Sequence, residues 1–134
     1  TDSLVGSEMC IRDRTDILKI IDYNLKDRLS DLTIRNKKQS VVCVVVASKG
    51  YPGNYKKNKV ISNLSKAQSI KGVEIFHAGT ALKKEKVISS GGRVLAVTAQ
   101  GNSIAHARKI AYKAVEAIGW KEGFFRNDIG QKNV

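Results

Sequence analysis

The residues of this chain best suited to chemistry are a glycine-bracketed turn, Lys49-Gly50-Tyr51-Pro52-Gly53-Asn54-Tyr55, and a glycine pair directly before Arg93. The chemistry they suit is the holding of an anion. Gly50 and Gly53 permit positive φ, Pro52 stiffens the turn between them, and successive N–H groups in such a turn form a concavity that suits negative charge. Lys49, Lys56 and Lys57 add cations nearby. Arg93 offers a guanidinium that forks onto phosphate oxygens, and Gly91-Gly92 removes side chains that would block the approach. The same features also fit a plain hairpin turn with a solvated arginine. Tyr51 and Tyr55 either close the site against water, stack on a sugar face, or staple the loop to a sheet. His77, in Phe76-His77-Ala78-Gly79-Thr80, either contacts substrate or orients that turn. No cysteine or second histidine stands at ligand spacing from His77 or His106, so no metal ligand is assigned. The phosphate loop, the paired-cysteine zinc spacing and the glycine-serine nucleophile elbow are all missing, and no catalytic residue is assigned either.

These residues need elements to position them. Val41 to Ala47 is apolar and β-branched on both faces, which predicts a central strand buried on both sides, with the tyrosine turn at its end. Short strands are expected at Val60 to Leu64, Val73 to Ala78 and Lys86 to Ser89, with Val94 to Ala99 completing a meander. Leu18, Ile21, Leu25, Leu29 and Leu32 recur at helical spacing behind a cap at Thr15 or Asp16. A second helix starts at a Ser103 cap, carries Ile104, Ala107, Ala111, Val115 and Ile118 on one stripe, and ends at Gly119. Strands flanked by helices read as α+β with a mostly antiparallel sheet.

Composition bounds the possibilities. The 134 residues suit one small domain, and 42% hydrophobic content argues for a folded one. With 24 basic against 12 acidic residues, the net charge of +12 attracts phosphates, nucleic acid or anionic membranes alike. Two cysteines, Cys10 and Cys43, make no disulfide framework. No apolar run approaches the roughly 18 residues needed to span a bilayer, and no signal peptide is legible. Arg126 and Asp128, two apart in an extended tail, face one side and either pin the tail or meet another domain.

Taken in order, the tyrosine turn, the His77 segment, Ser90-Gly91-Gly92-Arg93-Val94-Leu95-Ala96-Val97-Thr98-Ala99-Gln100-Gly101 and Phe125-Arg126-Asn127-Asp128-Ile129-Gly130 resemble the C-terminal domain of phosphoribosylamine-glycine ligase. That enzyme is an ATP-grasp ligase of purine biosynthesis. The resemblance runs from about Thr15 to Ile129. It implies an antiparallel sheet or half-barrel with flanking helices over residues 15–134, and leaves residues 1–14 as either a foreign-looking leader or a native, poorly ordered N-terminus. It further implies a cytoplasmic carbon–nitrogen ligase that joins glycine to 5-phosphoribosylamine, giving glycinamide ribonucleotide, ADP and phosphate. In that reading ATP and Mg²⁺ are held by an ATP-grasp domain in cis, and this part alone is inactive. Its expected share is to bind the phosphoribosyl substrate through Arg93, Lys49, Gly50, Tyr51, Pro52, Gly53, Gly92 and His77, with neither nucleic acid nor membrane as partner. One departure from the family pattern is Asn58, where a glycine is common; asparagine also tolerates positive φ. Two other readings compete. A basic nucleic-acid-binding module is weakened by only 6% aromatic residues, and a purely structural domain would only buttress its neighbour.

Overall fold

The computed structural model describes residues 15–35 and 37–131. The expected leader at 1–14, with Cys10, lies outside them. The apolar run becomes β1 (Ser40–Ser48), and the segment after the glycine pair becomes β5 (Arg93–Gly101). They pair antiparallel over their whole length, Val44 opposite Val97 and Val45 opposite Ala96. β2 (Val73–His77) adds to the far side of β5, and β6 (Gly123–Phe124) to the far side of β1, giving the order β2-β5-β1-β6. β3 (Thr80–Lys83) and β4 (Lys86–Ser89) form a separate hairpin. All these pairings are antiparallel, so the α+β architecture holds.

The described residues also form three α-helices: α1 (Ile17–Leu25), α2 (Leu64–Gln68) and α3 (Ile104–Ile118). Ser103 caps α3 by accepting the His106 N–H, and Gly119 ends it at φ 56°. Its buried stripe is Ala107, Ala111, Ala114, Val115 and Ile118. Three alanines there let α3 lie close on the sheet, against Val42, Val44, Val46, Leu95, Val97 and Ala99. At the closest point a Cβ on Gly101 would sit 2.6 Å from the Ala107 nitrogen. Each valine taken out of water here contributes on the order of 1.5–3 kcal/mol.

Four expectations change. β1 is internal, but only its Val42, Val44, Val46 face is covered by the helix; Val41 and Cys43 are half-buried and Val45 is 43% exposed. One helical layer covers one face. β5 does not continue a meander from β4 but inserts between β2 and β1, because its own residues from Val94 to Ala99 can be buried only at the sheet centre. Val60 makes a lone bridge to Ile88, and Leu64 opens α2 instead of ending a strand, after Asn63 takes φ 62°. The first helix stops at Leu25, because Asp27 turns to φ 53°; Leu29 belongs to a short 3₁₀ turn (Leu29–Asp31). Asp16 supplies the cap, accepting the Leu18 N–H at 2.8 Å.

Candidate functional site

The apolar run ends at Ser48, and the tyrosine turn and the glycine pair are tied through that residue. Ser48 is 1% exposed. Its N–H donates to the Gly92 carbonyl at 2.7 Å, its Oγ donates to the Gly91 carbonyl at 3.0 Å, and its own carbonyl accepts the Tyr51 N–H at 3.0 Å. One serine thus fastens the tyrosine turn to the glycine pair. Gly50 sits at φ 96°, where a Cβ would lie 2.1 Å from the Asn54 carbonyl oxygen, so this position admits glycine alone.

A third strand end joins from β2. The Ala78 and Gly79 N–H groups both donate to the Val94 carbonyl, while the Gly79 carbonyl accepts from Ser90 and Gly91. A Cβ on Gly79 would meet the Arg93 carbonyl oxygen at 2.4 Å. The ends of β1 and β2 and the start of β5 therefore converge on an open cleft of about 360 Å³. Tyr51, Gly79, Gly91, Gly92 and Arg93 line its mouth, with Val45, Ala78, Leu95 and Ala96 also in the wall. Among the described residues that line it there is no carboxylate, and Arg93 brings a guanidinium charge. That polarity favours an anion.

Of the residues expected from sequence, the fold brings Tyr51, Gly92 and Arg93 to one cleft. Lys49, Gly50, Pro52, Gly53 and His77 do not line it. Lys49 is exposed and its backbone N–H ties the turn to the Glu122 carbonyl. The Tyr51-Pro52 bond is cis, and Pro52 and Gly53 are exposed. Only Gly50 of the two turn glycines takes positive φ. His77 bonds through Nδ1 to the Thr80 hydroxyl at 2.9 Å, spanning the turn between β2 and β3.

The reason for the glycine pair also changes. A Cβ on Gly92 would fall 2.1 Å from Tyr51 Cδ2, so the space beside it is filled by the tyrosine ring and not left open for a ligand. Gly91 likewise lies against Gly79. The glycines are packing spacers that let three chain segments close around the cleft. Tyr55 meets Tyr51 edge-on at 6.2 Å between ring centres, so it braces the ring. Asn58 does take φ 60°, and its N–H donates to the Ser89 carbonyl.

Sequence reasoning missed Ser48, whose only signal is a hydroxyl closing an apolar run, and Val45 with Ala96, which meet only through strand register. At the tail, Arg126 and Asp128 pair with each other, Nε to Oδ1 at 2.9 Å, which holds the exposed Asp128 carboxyl below its ordinary range. The tail is pinned by other residues. Arg108 donates to the Ile129 and Asn127 carbonyls, and Tyr112 Oη donates to the Arg126 carbonyl and accepts from the Ile129 N–H.

The family described as "Phosphoribosylglycinamide synthetase, C domain" matches residues 41–132, well over half of the chain and the whole of the cleft. The chain belongs to this family. It is 43% identical over 126 residues to a phosphoribosylamine–glycine ligase of Brucella melitensis, covering 94% of this chain and 30% of that one. It is 45% identical over 124 residues to the chloroplastic phosphoribosylamine–glycine ligase of Arabidopsis thaliana, covering 91% and 23%. The crystal structure of phosphoribosylamine–glycine ligase from Thermotoga maritima superposes with a TM-score of 0.63 at 27% identity, over 81% of this chain and 27% of that one. This chain therefore spans less than a third of the length of each of these relatives, and its fold is that of their C domain. Among the described residues no helix is long and apolar enough to cross a membrane.

Proposed function

We propose that this domain serves a phosphoribosylamine–glycine ligase by holding the phosphoribosyl group of 5-phosphoribosylamine in the Tyr51–Arg93 cleft. The single observation that supports the reading is the shared crevice: an arginine, a fixed aromatic wall and three glycines, with no carboxylate among the described residues of the wall. In this reading the Arg93 guanidinium donates two parallel N–H groups to the phosphate oxygens, a charge-assisted fork stronger than neutral hydrogen bonds. Tyr51, held by Ser48 and by contact with Gly92, forms the wall that limits where the sugar sits. Lys49, two residues before Tyr51, adds positive potential without lining the cleft.

The overall reaction joins glycine to phosphoribosylamine at the expense of ATP. The glycine carboxylate is activated by phosphoryl transfer, the amine of phosphoribosylamine attacks the acyl carbon, and phosphate leaves. Among the described residues no three His, Cys, Asp or Glu side chains come together in one cluster. ATP and Mg²⁺ belong to the ATP-grasp lobe in cis, and the domain on its own has no turnover. Its contribution is positional: fixing one reactant beside the other can lower a barrier by several kcal/mol, up to about 7–11 in the best-oriented cases.

The test is Arg93→Ala in the full-length ligase. Losing a charge-assisted phosphate contact of about 1.5–3 kcal/mol raises KM for phosphoribosylamine roughly 10- to 150-fold and leaves KM for ATP unchanged. An unaltered KM for phosphoribosylamine removes Arg93 from the site.

A further inference from the structure

The two segments that frame the cleft, residues 49–61 and 79–93, hold eight Lys and Arg residues against one carboxylate, Glu85. Together they carry +7 (8 − 1) of the whole chain's +12. The fold gathers six of the lysines on one ribbon. Residues 58–61 lie along β4 as a third strand: the Asn58 N–H donates to the Ser89 carbonyl at 2.7 Å, the Ser89 N–H to the Lys59 carbonyl at 2.8 Å, and the Ile61 N–H to the Val87 carbonyl at 2.9 Å. Lys56, Lys57, Lys83, Lys84 and Lys86 are exposed and Lys59 is half-buried. Every strand of this ribbon springs from the cleft. β3 starts directly after Gly79, β4 ends two residues before Gly91, and Lys56 follows Tyr55, which braces Tyr51.

The tip of the ribbon keeps its charge against local stability. Lys83 stands directly opposite Lys86, and like charges so placed repel. The turn between them puts Lys84 at φ 47° and Glu85 at φ 59°, a shape that Asn-Gly suits best. Folding alone does not account for three lysines there. We propose that the ribbon is an electrostatic guide that draws the anionic substrate, a sugar phosphate monoester, into the Tyr51–Arg93 cleft. Such a monoester carries a charge of about −1.5 to −2 at neutral pH. Lys83 is four residues from Gly79, or about 13 Å along a strand. That lies well within the screening length of roughly 30 Å at 0.01 M salt and beyond the one of about 8 Å at 0.15 M. The pull is therefore strong in dilute salt and fades as salt rises. The inference rests on the reading of the cleft as a phosphate site.

The test is the ionic-strength dependence of kcat/KM in the full-length ligase at saturating ATP. For phosphoribosylamine it falls about 10-fold between roughly 0.01 and 0.3 M, while kcat holds. For glycine, a zwitterion of no net charge, it changes less than about 2-fold. Lys56→Gln, Lys57→Gln, Lys83→Gln and Lys86→Gln together flatten the phosphoribosylamine dependence to less than about 3-fold with kcat unchanged, and arginine at the same four positions restores it. Lys109→Gln with Lys113→Gln, on the exposed side of α3, leaves the dependence in place. A flat profile in the unaltered ligase overturns the proposal without any variant. So does a slope that survives the four glutamines. Salt-sensitive binding of a random oligonucleotide that those glutamines abolish, with kcat/KM untouched, also overturns it, because the ribbon's partner is then nucleic acid. Arg93→Ala raises KM at every ionic strength and keeps the slope. An unaltered KM there sinks the cleft reading, whereas an unaltered slope in the lysine variant sinks the guide alone.

Discussion

The contact between Tyr51 and Gly92 gives the sharpest test of how the cleft is built. In Gly92→Ala the new methyl would stand 2.1 Å from Tyr51 Cδ2, 2.6 Å from Cε2 and 3.1 Å from Cγ. Ordinary contact starts at 3.4 Å, so the ring must withdraw by about 1.3 Å, taking the shortest contact from the limit (3.4 − 2.1). Because Cγ is among the atoms met, rotating the ring about its own axis does not relieve the clash. The Tyr51 backbone is held by the Ser48 carbonyl and Gly92 by the Ser48 N–H, so neither segment retreats freely. Overpacking of this kind costs about 1–3 kcal/mol. For a domain of this size that lowers Tm by roughly 4–12 °C. Gly92 does not require positive φ, so the methyl itself brings no backbone strain. The assay is a double-mutant cycle by urea unfolding of the 134-residue chain. Gly92→Ala is expected to cost less than about 0.5 kcal/mol in a Tyr51→Ala background, for a coupling of at least about 0.5 kcal/mol. Equal costs in both backgrounds would refute the spacer role of Gly92.

Ser48→Ala leaves the part-buried Gly91 carbonyl without its hydroxyl donor and is expected to destabilise by about 0.5–1.5 kcal/mol, read by the same unfolding measurement. Gly101→Ala drives a methyl into the α3 backbone at Ala107, a contact that no rotamer relieves, and is expected to cost at least as much as Gly92→Ala. A neutral Gly101→Ala would contradict the close seating of α3 on β5. The Asp128 carboxyl, held down by its hydrogen bond from Arg126, has a lower pKa folded than unfolded. The stability it lends is therefore present above the ordinary value of about 4 and lost as pH falls through the lowered one. Carbon-detected titration should place Asp128 below an ordinary aspartate, and Arg126→Ala should return it to the ordinary range.

Much of this was readable in order along the chain. β1, β5 and α3 declare themselves because an unbroken β-branched run and an apolar stripe at helical spacing are local patterns, and Ser103 and Gly119 mark the ends of α3 by their own chemistry. Arg93 and Tyr51 were readable as candidates for the same reason, since glycines beside them restrict what the backbone can do, and the fold brings both to one cleft. Harder to read were the partners of these residues. That β5 enters between β2 and β1, that Val45 meets Ala96, and that Ser48 binds Gly91 and Gly92 are contacts across tens of residues, decided by which strands bury the most apolar surface together. The glycine pair shows the division plainly. Its lack of side chains is written in the sequence, but whether the space thereby left admits a ligand or a tyrosine ring depends on which segment the folded sheet brings alongside, and here it brings Tyr51.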